Sequence, residues 1–234
     1  FMTIAKKILR KAAFIGLLPL MLVILSGRLS ALNDINRVDM QKPGRIVFYC
    51  SDTPQEFSTE LSEDKKKITI ILKNAAITDT LRDIPGKHQI SSIRIEPEKN
   101  DLQIRIYLNS KKGYTAIPLH YSRALMIEVF NWDNLSPAED SYRSGLLALE
   151  DGLTDPASKY LKKAARAGHG NAAAVLGVSE LRDGKLSSAL DHLYTAAKDK
   201  TDIYDAYGAL SQIFEEYGFL DKAGFFAEAF KVKT

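Results

Sequence analysis

Apolar and polar positions alternate in short runs from residue 45 to residue 130. Arg45 to Cys50 puts Ile46, Phe48 and Cys50 on one face, and Lys67 to Leu72 does the same with Ile68, Ile70 and Leu72. In Leu102 to Leu108, the residues Leu102, Ile104, Ile106 and Leu108 alternate with Gln103, Arg105 and Tyr107. Ala124 to Phe130 supplies Leu125, Ile127 and Val129. A period of two predicts strands with one buried and one wet face. Pro43-Gly44, Glu63-Asp64, Pro85-Gly86, Asn100-Asp101 and Lys112-Gly113 mark the turns between them.

The same stretch maps onto itself. Ile35 and Val38 fall on Ile90 and Ile93, Phe57 falls on Tyr114, and Ile68, Ile70 and Leu72 fall on Leu125, Ile127 and Val129. On this alignment Cys50 falls close to Ile106. Each half reads strand, hairpin, strand, turn, strand. The expected result is two three-stranded sheets, one per half, packed face to face as a small pseudo-symmetric β-sandwich.

The pattern changes after Trp132. Alanine rises, strand formers fall, and Asn134-Leu-Ser-Pro-Ala-Glu-Asp predicts a helix start with Ser136 as N-cap and Pro137 in the first turn. Gly152, Gly184 and Gly218 then recur before Ala157, Ala189 and Ala223, within GLTDPA, GKLSSA and GFLDKA. Gly145, Gly177 and Ser211 hold a second repeating small position. This period predicts helical hairpins whose first helix stops at a left-handed glycine and whose second is capped by Asp155, Ser187 or Asp221. An ordinary helical bundle is the alternative. The fold class is thus α+β in two domains: a β-sandwich over residues 33–133, then an α-solenoid of three hairpins over 136–234.

Charge changes the picture at the N-terminus. Of 32 Lys and Arg, five (Lys6, Lys7, Arg10, Lys11 and Arg28) lie within residues 1–31, which contain no acid. The remaining 27 basic groups face 29 acidic ones, so no basic excess favours a nucleic-acid partner. Four of the five cations precede the uncharged run Ala12 to Leu25, and Leu29-Ser-Ala31 offers a small-residue cleavage site. The run is short for a membrane span of about 20 residues, and Pro19 interrupts it. Residues 1–31 are read as a cleaved signal peptide or a retained inner-membrane anchor. Both predict an exported, periplasmic chain whose membrane contact is confined to that segment.

Two resemblances follow from these residues. Arg45-Ile-Val-Phe-Tyr, Lys67-Ile-Thr-Ile-Ile-Leu-Lys-Asn-Ala, Ile90-Ser-Ser-Ile-Arg and Leu102-Gln-Ile-Arg-Ile-Tyr-Leu make residues 33–133 resemble an AMIN domain. That envelope module is attached to N-acetylmuramoyl-alanine amidases and pilus secretins. The resemblance implies localisation to the cell wall, with peptidoglycan or a secretin-like ring as partner, and no catalysis. Residues 136–231 resemble tetratricopeptide repeats, and Lys163-Ala-Ala-Arg-Ala-Gly-His-Gly-Asn-Ala-Ala-Ala-Val-Leu-Gly is similar to the Sel1-like variant. Ser141 and Ala173 depart from the family, standing where a large aromatic is usual. This resemblance implies a groove that binds another envelope protein, lined by Glu139, Tyr142, Asn171, Arg182, Asp205, Gln212 and Glu216.

Motifs for chemistry are not evident. His88, His120, His169 and His192 lack zinc-ligand spacing, and the sequence has no G-x-S-x-G, Walker or dinucleotide motif. Cys50 lies on the inward phase of its strand, where a thiol behaves as a small hydrophobe. His169 reads as a packing residue in an inter-helix turn. Lys65-Lys66-Lys67 reads as a solvated hairpin whose basic tip also suits anionic wall polymers. The expectation is a non-enzymatic scaffold without cofactor or metal. Its alternatives are a structural subunit of a flagellar motor or pilus apparatus, or a regulator of a wall amidase.

Overall fold

The computed structural model describes residues 33–232 except 78, 132 and 134. The expected signal or anchor segment, residues 1–31, lies outside the described residues, as do Trp132 and Asn134 at the expected boundary. No helix among the described residues is long and apolar enough to cross a membrane.

The described residues are mixed α and β, with ten strands preceding six helices. The strands are β1 (Asn33–Asp39), β2 (Arg45–Cys50), β3 (Phe57–Leu61), β4 (Lys67–Leu72) and β5 (Ala75–Ile77), then β6 (Asp83–Pro85), β7 (Ile90–Glu98), β8 (Asp101–Leu108), β9 (Gly113–Leu119) and β10 (Ala124–Phe130). They form two five-stranded sheets, ordered β5-β1-β2-β10-β9 and β3-β4-β8-β7-β6.

This order corrects the expectation of one three-stranded sheet per half. The duplication is present, but each sheet takes strands from both halves: β1 and β2 lie beside β10 and β9, and β7 and β8 lie beside β4 and β3. The registers agree under exchange of the halves. Val38 faces Phe48 as Ile93 faces Ile106, and Phe48 faces Leu125 as Ile106 faces Ile68. Phe57 faces Leu72 as Tyr114 faces Val129. Even the irregularities match, between Ile35 and Arg37 in β1 and between Ile90 and Ser92 in β7. Cys50 pairs with Ile35 as Leu108 pairs with Ile90, so the counterpart of Cys50 is Leu108, two residues beyond the expected Ile106.

The alternating faces fill a single core drawn from both sheets. Ile46, Phe48, Ile68, Ile70, Ile104, Ile106, Leu125 and Ile127 are all buried within it. Strand β10 departs from simple alternation. Ala124, Met126, Glu128 and Phe130 on its other face are buried too, and Glu128 is neutralised by Arg45 at 2.6 Å. A charge withdrawn from water to this extent requires such a partner.

The helices are α1 (Pro137–Glu150), α2 (Thr154–Arg166), α3 (Gly170–Arg182), α4 (Leu186–Lys198), α5 (Asp205–Glu216) and α6 (Leu220–Lys231). Gly152, Gly184 and Gly218 each adopt φ of 72–74° after α1, α3 and α5, as their spacing predicts. The closing bonds repeat as well: Leu153 N donates to Ala148 O, Lys185 N to Glu180 O, and Phe219 N to Phe214 O, at 2.7–2.8 Å. Helices α4 and α6 begin directly after these turns. Ser187 and Asp221 therefore sit inside the first turn instead of at the expected N-caps, which Lys185 and Phe219 occupy without a side-chain bond.

The second repeating small position lies at a close helix approach. A Cβ on Gly145 would stand 2.7 Å from Leu161 Cγ, and one on Gly177 would stand 2.7 Å from Leu193 Cγ. Ser211 takes this place in the third hairpin, donating from Oγ to Ala223 O at 3.0 Å.

By compactness the chain divides into two units. One holds both sheets and Leu146–Leu153, and the other holds Pro137–Gly145 and everything from Thr154 onward. The division falls within α1, whereas composition places the boundary ahead of that helix.

Two stability effects follow. Gly177→Ala should lower unfolding free energy by about 1–3 kcal/mol through overpacking against Leu193. Lys200, which takes φ of 52° after α4, should stabilise the chain by up to about 1 kcal/mol when replaced by glycine. Thermal and urea unfolding of both variants measures each sign; equal stability of Gly177→Ala and wild type would contradict the close approach.

Candidate functional site

The seven residues expected on a binding groove meet different fates. Tyr142 is fully buried and Asp205 is 2% exposed, so neither presents a surface to a partner. The Tyr142 ring stacks on that of His169, with ring centroids 4.4 Å apart. Asn171 ties down the turn before α5, its Oδ1 accepting from Thr201 Oγ1 (2.8 Å) and Asp202 N (2.9 Å). Arg182, Gln212 and Glu216 are exposed, and Gln212 Nε2 donates to Glu216 Oε1 at 2.9 Å.

Glu139 is half-buried at the centre of a polar cluster. Its Oε1 accepts from Arg143 Nε at 2.6 Å, and its Oε2 lies 2.7 Å from His169 Nε2. His169 is the N-cap of α3: its Nδ1 accepts from Ala172 N at 3.2 Å. An acceptor Nδ1 places the ring proton on Nε2, so His169 donates to Glu139. The hydrogen bond from His169, with Arg143 close by, holds the Glu139 carboxyl below the usual carboxylate range. The cluster thus joins the start of α1 to the start of α3. The sequence names His169 as a packing residue; its capping and Glu139 bonds depend on helices distant in sequence.

A second polar cluster lies between α3 and α4. Glu180, 6% exposed, accepts from His192 Nδ1 at 2.7 Å, and Lys162 Nζ stands 3.9 Å from it. In the third hairpin the corresponding places are held by Phe214 and Phe226, whose rings stack at 5.7 Å and 4°.

Next to those rings, α4 and α6 border an open cleft of about 840 Å³. Its floor is Tyr194, Ala197, Phe225 and Phe226, and its rim carries Asp191, Lys198 and Lys222. Phe225 is 66% exposed, and Leu220 on the same helix 69%. Burial pushes the Tyr194 phenol up to about 12, so it stays neutral at physiological pH. An apolar floor with charged edges suits a peptide or helix that anchors an apolar side chain. The seven expected groove residues all lie on the first helices of the hairpins, α1, α3 and α5, whereas this cleft is bordered by the second helices α4 and α6. Aromatic clustering in Gly218-Phe-Leu-Asp-Lys-Ala-Gly-Phe-Phe was the available signal.

Groups capable of chemistry are dispersed. Burial raises the Cys50 thiol to about 12, and its Sγ lies 3.5 Å from Phe48 O. Such a thiol is not activated as a nucleophile. His120 is exposed and meets the ring of Tyr121 edge-on, while His88 is exposed at φ 56°. Among the described residues, no group of three or more His, Cys, Asp and Glu side chains is placed to hold a metal.

No family model matches the sequence, and no curated protein matches it.

The Glu139–His169 contact makes stability depend on pH. A carboxyl held low in the folded state stabilises fully above its ordinary range, and that contribution is lost as pH falls through the lowered value. Glu139→Gln should flatten the acid limb of the stability–pH curve. His169→Ala, which also removes the α3 cap, should cost about 0.5–2 kcal/mol from the cap alone. Melting curves from pH 7 to 3 measure both; an unchanged acid limb in Glu139→Gln would contradict the assignment.

Proposed function

We propose that this protein is an exported, non-enzymatic scaffold of the bacterial envelope. In this reading the β unit is an AMIN-like module that contacts peptidoglycan or a secretin-like partner. The helical unit is a tetratricopeptide- or Sel1-like solenoid that holds another envelope protein. The observation that carries the proposal is the combination in one chain. An export-type N-terminal segment precedes a duplicated two-sheet β unit, which precedes helical hairpins with repeating turns and close approaches.

Binding by surface complementarity supplies the mechanism. Apolar anchors such as those the α4–α6 cleft can receive set affinity, and charged rims set partner choice. The exposed Arg182, Gln212 and Glu216 remain candidate contacts on the first helices.

Export is tested by fusing residues 1–31 to alkaline phosphatase, which is active only outside the cytoplasm. High activity is expected, and an inactive, cytosolic fusion would defeat the proposal. Photo-crosslinkers placed at Arg182, Gln212 and Phe225 in the full chain should then capture envelope proteins in intact cells. Crosslinking confined to cytosolic proteins would count against a scaffold at this location.

A further inference from the structure

One end of the β unit gathers lysines from three loops. The β3–β4 turn supplies Lys65 and Lys66, with Lys67 opening β4, the β6–β7 loop supplies Lys87, and the β8–β9 loop supplies Lys111 and Lys112. These loops are stitched together by their backbones. Lys112 N donates to Lys65 O (3.1 Å), Leu108 N to Lys66 O (2.8 Å), and Asn109 N to Gln89 O (3.0 Å). Asn109 Nδ2 adds a bond to His88 O at 2.8 Å. The lysines are far apart in sequence, but these bonds hold their backbones in one row across the sheet end.

Their charge is offset only in part: six lysines stand against Glu63 and Asp64, and Asp64 attracts Lys66 and Lys67. Elsewhere on the β unit Arg45, Lys73, Arg94 and Arg105 each have a carboxylate partner within 3.0 Å. Lys65, Lys66, Lys87 and Lys111 are exposed and form no ion pair among the described residues. The acids nearby are Glu63 and Asp64. Asp64 Oδ1 accepts from Ser62 Oγ (2.6 Å) and Lys66 N (3.1 Å), which fixes its carboxylate on the β3–β4 turn and leaves the lysines of the other two loops without an acid at hand among the described residues. Beside the turn lies an open cleft of about 680 Å³, edged by the acids Glu63 and Asp64 as well as by Lys66, Lys67, Ser91 and Tyr107, so the lysines beyond it, Lys65, Lys87, Lys111 and Lys112, carry the excess of positive charge. Among the described residues, the large exposed apolar side chains lie elsewhere, at Leu153, Tyr160, Leu220, Phe225 and Val232. A membrane surface would gain no apolar anchor at this end, whereas a row of cations fits a ligand with charges repeated along its length.

From this we infer that the three-loop end of the β unit binds a flexible, single-chain anionic polymer, its repeating phosphates or carboxylates lying along the lysine row. The inference rests on reading the β unit as a wall-contacting module and adds the face and the ligand chemistry.

The test uses the purified full chain with long-chain polyphosphate and with alginate, a polyuronate, as probes. Duplex DNA of equal charge and anionic phospholipid vesicles are the competing ligands. Binding of at least one polymer should be tighter than binding of DNA. It should weaken as salt rises, because exposed charges are screened over about 10 Å at 0.1 M. Changing Lys65, Lys66, Lys87 and Lys111 to Glu together should weaken binding roughly tenfold or more, from several exposed ion pairs lost at once. Reversing the same number of charges on the helical unit, with Lys159, Lys163, Arg166 and Lys231 all changed to Glu, should leave binding within about twofold. Bound polymer on the wild-type chain should also shield Lys87 and Lys111 from acetylation, a readout independent of how the variants fold. Failure of both polymers to bind at low salt, binding no tighter than to DNA, or unprotected lysines would each overturn the inference. Because the assay is carried out in vitro, its result is separate from that of the export fusion.

Discussion

Each sheet of the β unit is completed by the other half of the duplication. Strand β2 is flanked by β10, and β4 is flanked by β8, so the central strand pairs of both sheets join residues far apart in the chain. Ile46 against Ile127 and Ile70 against Ile104 are such pairs, all four fully buried. Burying a side chain of this size contributes about 1.5–3 kcal/mol, and here the contribution exists only when both halves are present. The three loops that carry the lysine row are aligned by the same pairing, since β8 lies between β4 and β7. The basic end is thus a consequence of the exchange.

The helical unit meets a different constraint, the distance between adjacent helices. Gly145 and Gly177 allow Leu161 and Leu193 to lie against helix backbone, and the left-handed turns shorten each connection. The third hairpin reaches its packing by other means. Ser211 replaces the glycine, and Tyr194, Phe214 and Phe226 fill the space with rings. Those rings extend to the surface as Phe225 and the floor of the α4–α6 cleft. The departure of one repeat from its neighbours leaves an apolar surface between α4 and α6.

Polar groups within the helices mostly serve the fold. Glu139, His169 and Arg143 join two helix starts, Asn171 fixes a turn, and Glu180 with His192 and Lys162 closes a hairpin. Residues of these types in an amphipathic pattern look like a binding face until their partners are known. Exposure separates the two cases: Arg182, Gln212 and Glu216 face water, and Tyr142 does not.

The sequence by itself determined the strands, their inward faces, the duplication and the glycine-marked helix turns. All of these depend on local periodicity or on backbone freedom at single residues, and both are written in residue order. Alternation foretold Ile46, Phe48, Ile68 and Ile104 as core, and spacing foretold the left-handed Gly152, Gly184 and Gly218. Tertiary structure alone decided which strands pair, since either pairing buries the same faces and satisfies the same alternation. It also decided the fate of individual polar side chains: Tyr142 vanished beneath His169, while lysines from three separate loops came to share one end. Long-range neighbours depend on the path of the whole chain through space, and no local pattern carries that information.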